Sequence, residues 1–545
     1  MRNLFTTIAP ALLIAACSGG PADLKDPPIL RVTSPERALV KGEAGDVVVK
    51  GTVTPNEDGI PVTSVKINNV AANVGADGSF QATIQIQEGA SFIETIALDE
   101  DGGKAVDTRA VHAGEIRNAS ASVENAMTAS MSTGAFEKIS AAAGPIVKGL
   151  DIATMLAPMQ PMQHAGDENG PDCLYDRVYV NDVKFSDVKI QLIPTQGGLN
   201  FRFQVDGLDV PGRVDYAAAC LDGSNDVRVT ATRVVVAGTL LVSPNGMKGF
   251  STDLVDQDIT MTGLNVQASG IPGSVMGLIS WDGWISSVIS KGAELAMEPM
   301  MNSALGGLAG PKEMDVLGKK LRMEVSPTDI SFSSSGALVS MTMGMGIGGA
   351  EQAQYVYVQN GSPTMDPGNG FQLGLADDLA NSMMSQAKAI GLLSLEMPAA
   401  GGTFDSTQID MTLPPMINAS ADGKMQVVLG DMMATFKNNG TPVAKAAVNA
   451  KIALEVKPAT GNGYAVALEL GKPELSFNVL DDIANETRLS NDDLETAAGG
   501  CIEAQIAHIS ALLVNIPLPS IAGLQPRNLS VGSDNGYVMV KGDLD

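Results

Sequence analysis

The stretch from 273 to 308, GSVMGLISWDGWISSVISKGAELAMEPMMNSALGGL, carries its apolar residues on one side. Trp281, Trp284, Ile285, Val288 and Ile289 recur at helical spacing, with Asp282, Ser286, Ser287, Ser290 and Glu294 opposite. Pro299 is expected to kink or end this helix. The runs before it alternate instead: Val178/Val180, Val188/Ile190/Leu192, Phe201/Phe203/Val205 and Val227/Val229/Ala231. These read as strands with one apolar face. Neither part can cover itself. A helix with one stripe and a sheet with one face satisfy each other when the sheet rolls around the helix.

The same ingredients return later. Strands are expected over roughly 323–358, then a helix over LADDLANSMMSQAKAIGLLSL with Leu379, Met383, Ala387, Ile390 and Leu393 in its stripe. MQVVLGDMMATF, AAVNAKIALEVKP and YAVALELGKPELSFNV read as further strands. A last helix starts at Ser490, whose spacing to Asp493 is that of a capping box, and its stripe is Ile502, Ile506, Ile509 and Leu513. Pro517 and Pro519 forbid helix continuation, so Asn515 onward reads as an extended apolar strap leading to a final strand, GYVMVKGDL. Between 115 and 150 the apolar residues Ile116, Val123, Met127, Met131 and Ile139 fall at helical spacing, with glycine interruptions.

The N-terminal part has another rhythm. ILRVT, DVVVKGTV, VTSVKIN, SFQATIQI, SFIETIAL and KAVDTRAV are short alternating runs separated by turn signals such as Glu57-Asp58-Gly59 and Ala76-Asp77-Gly78. They read as a small β-sandwich over 29–112, similar to bacterial immunoglobulin-like modules, which act as spacers or contact surfaces. Ahead of it, Arg2, the apolar run Ile8 to Ala16 and Ile14-Ala15-Ala16-Cys17 make a signal peptide over 1–16. Apolar, small, small, Cys resembles a lipobox, so Cys17 is expected to be acylated. Ser18 after it resembles the pattern sent to the outer membrane, with the protein periplasmic or surface-facing. Residues 17–28 read as a flexible tether. No later stretch approaches eighteen uncharged apolar residues, which leaves the lipid as the expected anchor.

A formal net charge of −26 with dispersed Lys and Arg argues against nucleic acid and against anionic lipid surfaces. The 27 methionines against 4 % aromatics fit either adaptable apolar cavities or plain core filling. Cys173 and Cys220 flank alternating strands, and a disulfide between them would close about 47 residues, contributing roughly 4 kcal/mol on the loop-entropy estimate. Cys501, among apolar neighbours, reads as a buried free thiol.

Catalytic chemistry finds little footing. His112, His164 and His508 show no metal-ligand spacing, and no Cys-x-x-Cys, Gly-x-Ser-x-Gly or phosphate-binding glycine loop occurs. His508 reads as a core or boundary residue. Asp99-Glu100-Asp101-Gly102 lacks the spaced ligands of a calcium loop and reads as a hairpin turn. No enzyme activity, metal or cofactor is expected.

Several stretches carry a resemblance by their order. Asn515-Ile516-Pro517-Leu518-Pro519, Leu529, Asn535 to Val540 and Asp543-Leu544 close the chain. Leu379-Ala380-Asn381-Ser382 leads to Gly391-Leu392-Leu393, and Val183 to Ile190 precedes Gly197-Gly198-Leu199 and Trp284-Ile285. Together, over about 115–545, they resemble the bactericidal/permeability-increasing and lipopolysaccharide-binding protein family. The resemblance implies the TULIP (tubular lipid-binding) fold, an α+β architecture of two halves. In each half a long helix lies in a highly curved antiparallel sheet, and a central sheet joins the two, here over 113–322 and 323–545. It also implies a phospholipid or similar amphiphile in each half, for transfer or holding. The lining is expected at Met127, Met131, Phe201, Phe203, Met276 and Ile279, and at Met383, Ala387, Ile390, Ile506 and Ile509. Two features depart from the family: the chain lacks its cationic tip, and it has no cysteine near Ala296, where the family's disulfide ends. The competing expectation is a non-enzymatic surface or periplasmic scaffold that binds a protein partner through the immunoglobulin-like module.

Overall fold

The computed structural model describes residues 27–545 apart from 172, 247–248, 306–309, 317, 360, 366–369, 400–403, 420–423, 459–464, 483–490, 514–515, 518–520, 522 and 545. The expected acylation site, Cys17, and the expected helix cap, Ser490, lie outside the described residues. The chain divides into two compact units, Met1–Leu39, Gly45–Ile86 and Phe92–Arg109 in one, and Val40–Ala44, Gln87–Ser91 and Ala110–Asp545 in the other. Among the described residues no single helix is long and apolar enough to cross a membrane.

The N-terminal part is the expected β-sandwich. One sheet runs Ile29–Ser34, Gly45–Thr54, Ser79–Ile86, Asn73–Val74, and the other Leu39–Lys41, Lys104–Ala113, Gly89–Asp99, Val62–Ile67, Val70–Ala71. Alternation decides what is buried: Val47, Val49 and Val53 are buried on one strand, and Phe80, Ile84 and Ile86 on its neighbour. Gly51 pairs with Phe80, and a Cβ there would meet the Phe80 ring at 2.5 Å, so only glycine leaves room for it. The Asp99 carboxylate accepts the Asp101 and Gly103 amides at 3.1 and 2.6 Å, which folds 99–102 as the expected hairpin turn.

The larger unit is mostly β, with α1 (Thr133–Lys148), α2 (Ile152–Leu156), α3 (Gly273–Met276), α4 (Trp281–Leu305), α5 (Asp377–Ala389) and α6 (Asn491–Leu513). Its central sheet is antiparallel in the order Gly310–Val316, Lys319–Ser333, Gly336–Ile347, Val123–Ser132, Phe371–Ala376, Tyr537–Leu544, Pro526–Asp534. The chain's last strand pairs with Phe371–Ala376, which separates it from Val123–Ser132. The expected divide at 322/323 falls inside the strand Lys319–Ser333.

The first-half sheet runs Gln163–Gly166, Tyr175–Val180, Gly198–Ala218, Leu221–Pro244, Phe250–Thr262, with Asp187–Thr195 and Asn265–Ala268 on its flanks. Gly198–Ala218 and Leu221–Pro244 are 21 and 24 residues long. They meet at a two-residue turn, Ala219 and Cys220, both at positive φ (48° and 59°). The expected Cys173–Cys220 disulfide is present there, with 4.8 Å between the Cα atoms. The second-half sheet runs Leu395–Pro398, Ser406–Asp410, Met425–Asn438, Thr441–Pro458, Ala465–Asp482, Ile516–Pro517. The proline strap therefore does begin extended, as a short closing strand.

Four expectations need correction. Residues 115–132 are not helical: Glu115–Asn118 and Val123–Ser132 are strands. The four-residue spacing of Met127 and Met131 fits a strand's period of two as well as a helix, and Ala129 between them is equally buried. Of the two outcomes expected at Pro299, the helix does not end there: α4 runs on to Leu305. Ala296, Met297, Met300 and Met301 are all buried around that proline, and this burial outweighs the one hydrogen bond it forfeits. The helix expected from 273 onward is interrupted, so Met276 ends α3 and Ile279 lies between α3 and α4. Helix α5 stops at Ala389, which puts Ile390 just beyond it. Gly391 at φ 75° turns the chain, and the Leu392 amide returns to the Ala387 carbonyl at 2.9 Å.

Candidate functional site

Helix α1 is held to the first-half sheet through Ser140. Its hydroxyl donates to the Phe136 carbonyl at 2.7 Å and accepts the Leu192 amide at 2.9 Å. At the helix's end the Lys148 ammonium donates to the Ser186 carbonyl at 2.9 Å. The chain then breaks at Gly149 and restarts at Asp151, whose carboxylate caps α2 by accepting the Thr154 amide at 3.0 Å. The α1 axis and the segment Ile152–Met159 lie at 82° to each other.

Inside this elbow is an apolar cleft. Val147 of α1 and Ile152 of α2 form one wall; Val183, Phe185, Phe203, Val205 and Leu208 form the sheet side; Val288, Ile289, Gly292 and Ala293 of α4 form the floor. Phe203 and Val205 reach it because alternate residues of their strand point inward. The α4 residues fall at i, i+1, i+4 and i+5, one face of a helix. Gly292 is small for a reason: a Cβ there would stand 3.3 Å from Ile152 Cγ2, so α2 seats on the glycine. None of these residues is polar. The free space is about 40 Å³, room for a few waters and far less than an acyl chain fills.

Charge stays at the rim. Asp182 and Lys184 pair at 2.9 Å, with Lys184 lying between Val183 and Phe185 in the chain. Lys291 and Glu294 pair at 2.6 Å, beside Gly292 and Ala293. These pairs are exposed or half-exposed, so they contribute little to stability.

Of the residues expected to line a first-half tube, only Phe203 is in the cleft. Phe201, two positions earlier on the same face, stacks near it with ring centroids 6.2 Å apart. Met127 and Met131 are buried in the central sheet, where Met127 pairs with Met341 and Leu375, and Met131 with Ala337 and Phe371. Met276 is half-buried and Ile279 buried at the α3–α4 break. In the second half, Met383 and Ala387 are buried on α5, which packs on Gly336–Ile347, Gln354–Tyr357 and Met416–Ala419. Ile506 and Ile509 belong to α6, packed on Leu395–Pro398, Ser406–Asp410 and Ala465–Asp482. The second-half residues thus sit on α5, just beyond it at Ile390, and on α6, and the two helices have different sheet partners.

Sequence reasoning passed over Val147, Ile152, Val183, Phe185 and Gly292. Gly149 followed by Asp151-x-x-Thr154 was a readable helix stop and restart, and would have pointed to the elbow.

Cys501 is buried with Sγ 3.4 Å from the Thr407 carbonyl, and burial pushes its thiol up to about 11, the free thiol expected. His112 is buried and its imidazole is pushed down to about 4 by desolvation. His164 Nδ1 lies 3.0 Å from the Asp176 carbonyl, and His508 is half-buried on α6.

Residues 28–114 match the family model described as glucodextranase, domain B. None of the curated proteins is similar to the chain in sequence. Among solved structures, lipopolysaccharide binding protein is similar over 78 % of this chain and 99 % of its own, at 12 % identity and a TM-score of 0.36. P47 of Clostridium botulinum E1 is similar over 78 % of this chain and 100 % of its own, at 7 % identity and a TM-score of 0.31. P47 from Clostridium botulinum A2 is similar over 77 % of this chain and 98 % of its own, at 10 % identity and a TM-score of 0.26.

Proposed function

We propose that this protein binds an amphiphile by its acyl chain in the first-half cleft, and shields that chain from water. The observation that carries this reading is the wall of the cleft, apolar throughout and built from two helices and a sheet. Each methylene taken from water gains about 0.8 kcal/mol, so covering a chain of fifteen is worth roughly 12. The closed cleft is too small for such a chain, and binding therefore parts helix from sheet. With a net charge of −26, a zwitterionic phospholipid or weakly charged amphiphile fits better than a polyanionic glycolipid. In the same reading α6 and its sheet form the second half of a tubular lipid-binding fold. Acylation of Cys17 keeps the protein at a bacterial outer membrane, where it transfers or holds lipid.

The test is mass spectrometry of organic extracts of the purified full chain, with uptake of a fluorescent fatty acid as the second measurement. A defined acyl amphiphile, displaced by the probe, is the expected result. Protein that carries no lipid and takes up no probe defeats the reading. For the anchor, Cys17→Ala is expected to release the protein from membranes, and retention after a high-salt wash defeats that part.

A further inference from the structure

We propose that the segment Ile152–Met159 is a lid on the cleft, and that its outer face docks on the surface of a zwitterionic phospholipid bilayer. This rests on the acyl-binding reading above and adds to it how the cleft opens.

The segment has two faces. Inward, Ile152 lines the cleft and seats on Gly292, and Leu156 is completely buried. Outward, Ala157, Pro158 and Met159 are exposed, Met159 to 39 %. No Asp, Glu, Lys or Arg occurs from 152 to 166, whereas Asp151 stands directly before this run and Asp167 and Glu168 directly after it. An uncharged, methionine-bearing surface on so acidic a chain suits contact with an uncharged apolar boundary. An anionic surface would repel the rest of the molecule.

The segment is also tied by hydrogen bonds at both ends and held between them by the apolar packing of Ile152 and Leu156. Before it, Lys148 is held by the Ser186 carbonyl at 2.9 Å. After it, the Gln160 side chain exchanges two hydrogen bonds with the Val180 backbone, at 3.1 and 3.2 Å, and the Met162 amide reaches the Val178 carbonyl at 2.9 Å. Between these ties the backbone break at Gly149–Asp151 supplies a hinge. Lifting the lid in water would expose Ile152 and Leu156, so the closed form dominates there. At a bilayer those side chains, together with Met159, enter the interface instead, and the same motion becomes favourable where the ligand is found.

The experiment uses the full chain and a polyene fatty acid probe, offered either as monomer in buffer or loaded in phosphatidylcholine vesicles. Met159→Asp is expected to slow uptake from vesicles by about tenfold or more, since the charge must enter the interface. Uptake from buffer and the circular dichroism spectrum should be unchanged, and Met159→Leu should behave like the parent. Equal vesicle rates for parent and Met159→Asp overturn the lid docking. So does an equal slowing from both sources, which would mark Met159 as structural. A parent that takes up probe from neither source overturns the acyl-binding reading itself, and the lid falls with it.

Discussion

The side chain of Asn381 pairs with the backbone of Ile417 as a neighbouring strand would. Its Oδ1 accepts the Ile417 amide at 2.6 Å and its Nδ2 donates to the Ile417 carbonyl at 2.9 Å. Ile417 lies on the short strand Met416–Ala419, and Asn381 closes the edge that would otherwise stay unpaired and buried. The rest of α5 works in the same way. Gln386 donates to the Ala119 carbonyl at 2.8 Å and accepts the Ile347 amide at 2.7 Å, and the Ser382 and Ser385 hydroxyls donate to the Ala119 and Gln354 carbonyls, each at 2.5 Å. A polar helix is buried here because the strand ends around it need partners.

Asn381→Leu should therefore strand two buried backbone groups. At about 1–3 kcal/mol each, the loss is about 2–6 kcal/mol, read as an earlier urea transition by far-UV circular dichroism. Asn381→Asp should also destabilise at neutral pH, where an ionised carboxylate would turn an oxygen toward the Ile417 carbonyl. Tryptophan fluorescence is the wrong probe, because both tryptophans, Trp281 and Trp284, sit on α4.

Helix α5 also shows where sequence reading stops. Its apolar residues Leu379, Met383 and Ala387 were legible as a stripe, and so were most strands, the sandwich and the disulfide. Nothing in the spacing told that the polar residues Asn381, Ser382, Ser385 and Gln386, around the rest of the helix, would be buried too. Polar residues at helical spacing normally mark the solvent side. Their partners are backbone groups up to 267 residues away in sequence, which no local pattern reports. The cleft was half legible for a similar reason. Phe203, Val288 and Ile289 belong to periodic runs, but Val183, Phe185 and Ile152 gain their role only from the elbow after α1.

Two buried titrating groups shape the pH dependence. Burial and the neighbouring Asp377 push the Asp378 carboxyl from its ordinary 3.8 up to about 8. Between those values the folded state keeps a proton that the unfolded chain releases, so stability falls as pH rises. His112 acts in the opposite sense, its imidazole lowered by burial from 6.5 to about 4, so stability falls as pH drops through that window. The two slopes oppose each other between about 4 and 6.5, and Asp378 alone acts from there to about 8. Asp378→Asn, whose oxygen can still accept the Val358 amide, should stabilise the protein by a few kcal/mol at about pH 9 and by nothing near pH 4. Urea midpoints across pH check this, and an unchanged profile would remove Asp378 as the source.

The cysteines give a covalent check. A non-reducing peptide map should link Cys173 to Cys220 and leave Cys501 unlinked. Cys501 should resist iodoacetamide at pH 8 in the native protein, being buried with its thiol pushed up to about 11, and react once the chain unfolds. Replacing Cys173 and Cys220 by Ser should cost roughly 4 kcal/mol. A linkage that includes Cys501 would contradict the assignment.

Two alanines separate binding from packing. Ala293 is 1 % exposed and forms part of the cleft floor on α4, while Ala387 is 0 % exposed on α5, wedged between strands. Tryptophan at either position is too large for the closed structure, and overpacking costs about 1–3 kcal/mol or more. The consequences differ when the protein binds. At Ala293 the indole takes the volume an acyl chain would occupy, so lipid bound per folded molecule should fall sharply even where the thermal transition survives. At Ala387 the indole presses on strand residues remote from the cleft lining, so the transition should drop while lipid per folded molecule holds. Lipid content by mass spectrometry, normalised to folded protein from circular dichroism, reads both. Equal loss of lipid in the two variants would mean that occupancy follows global stability, and the cleft would lose its claim to the ligand. Loss at Ala387 alone would move the ligand to the second half, beside α5.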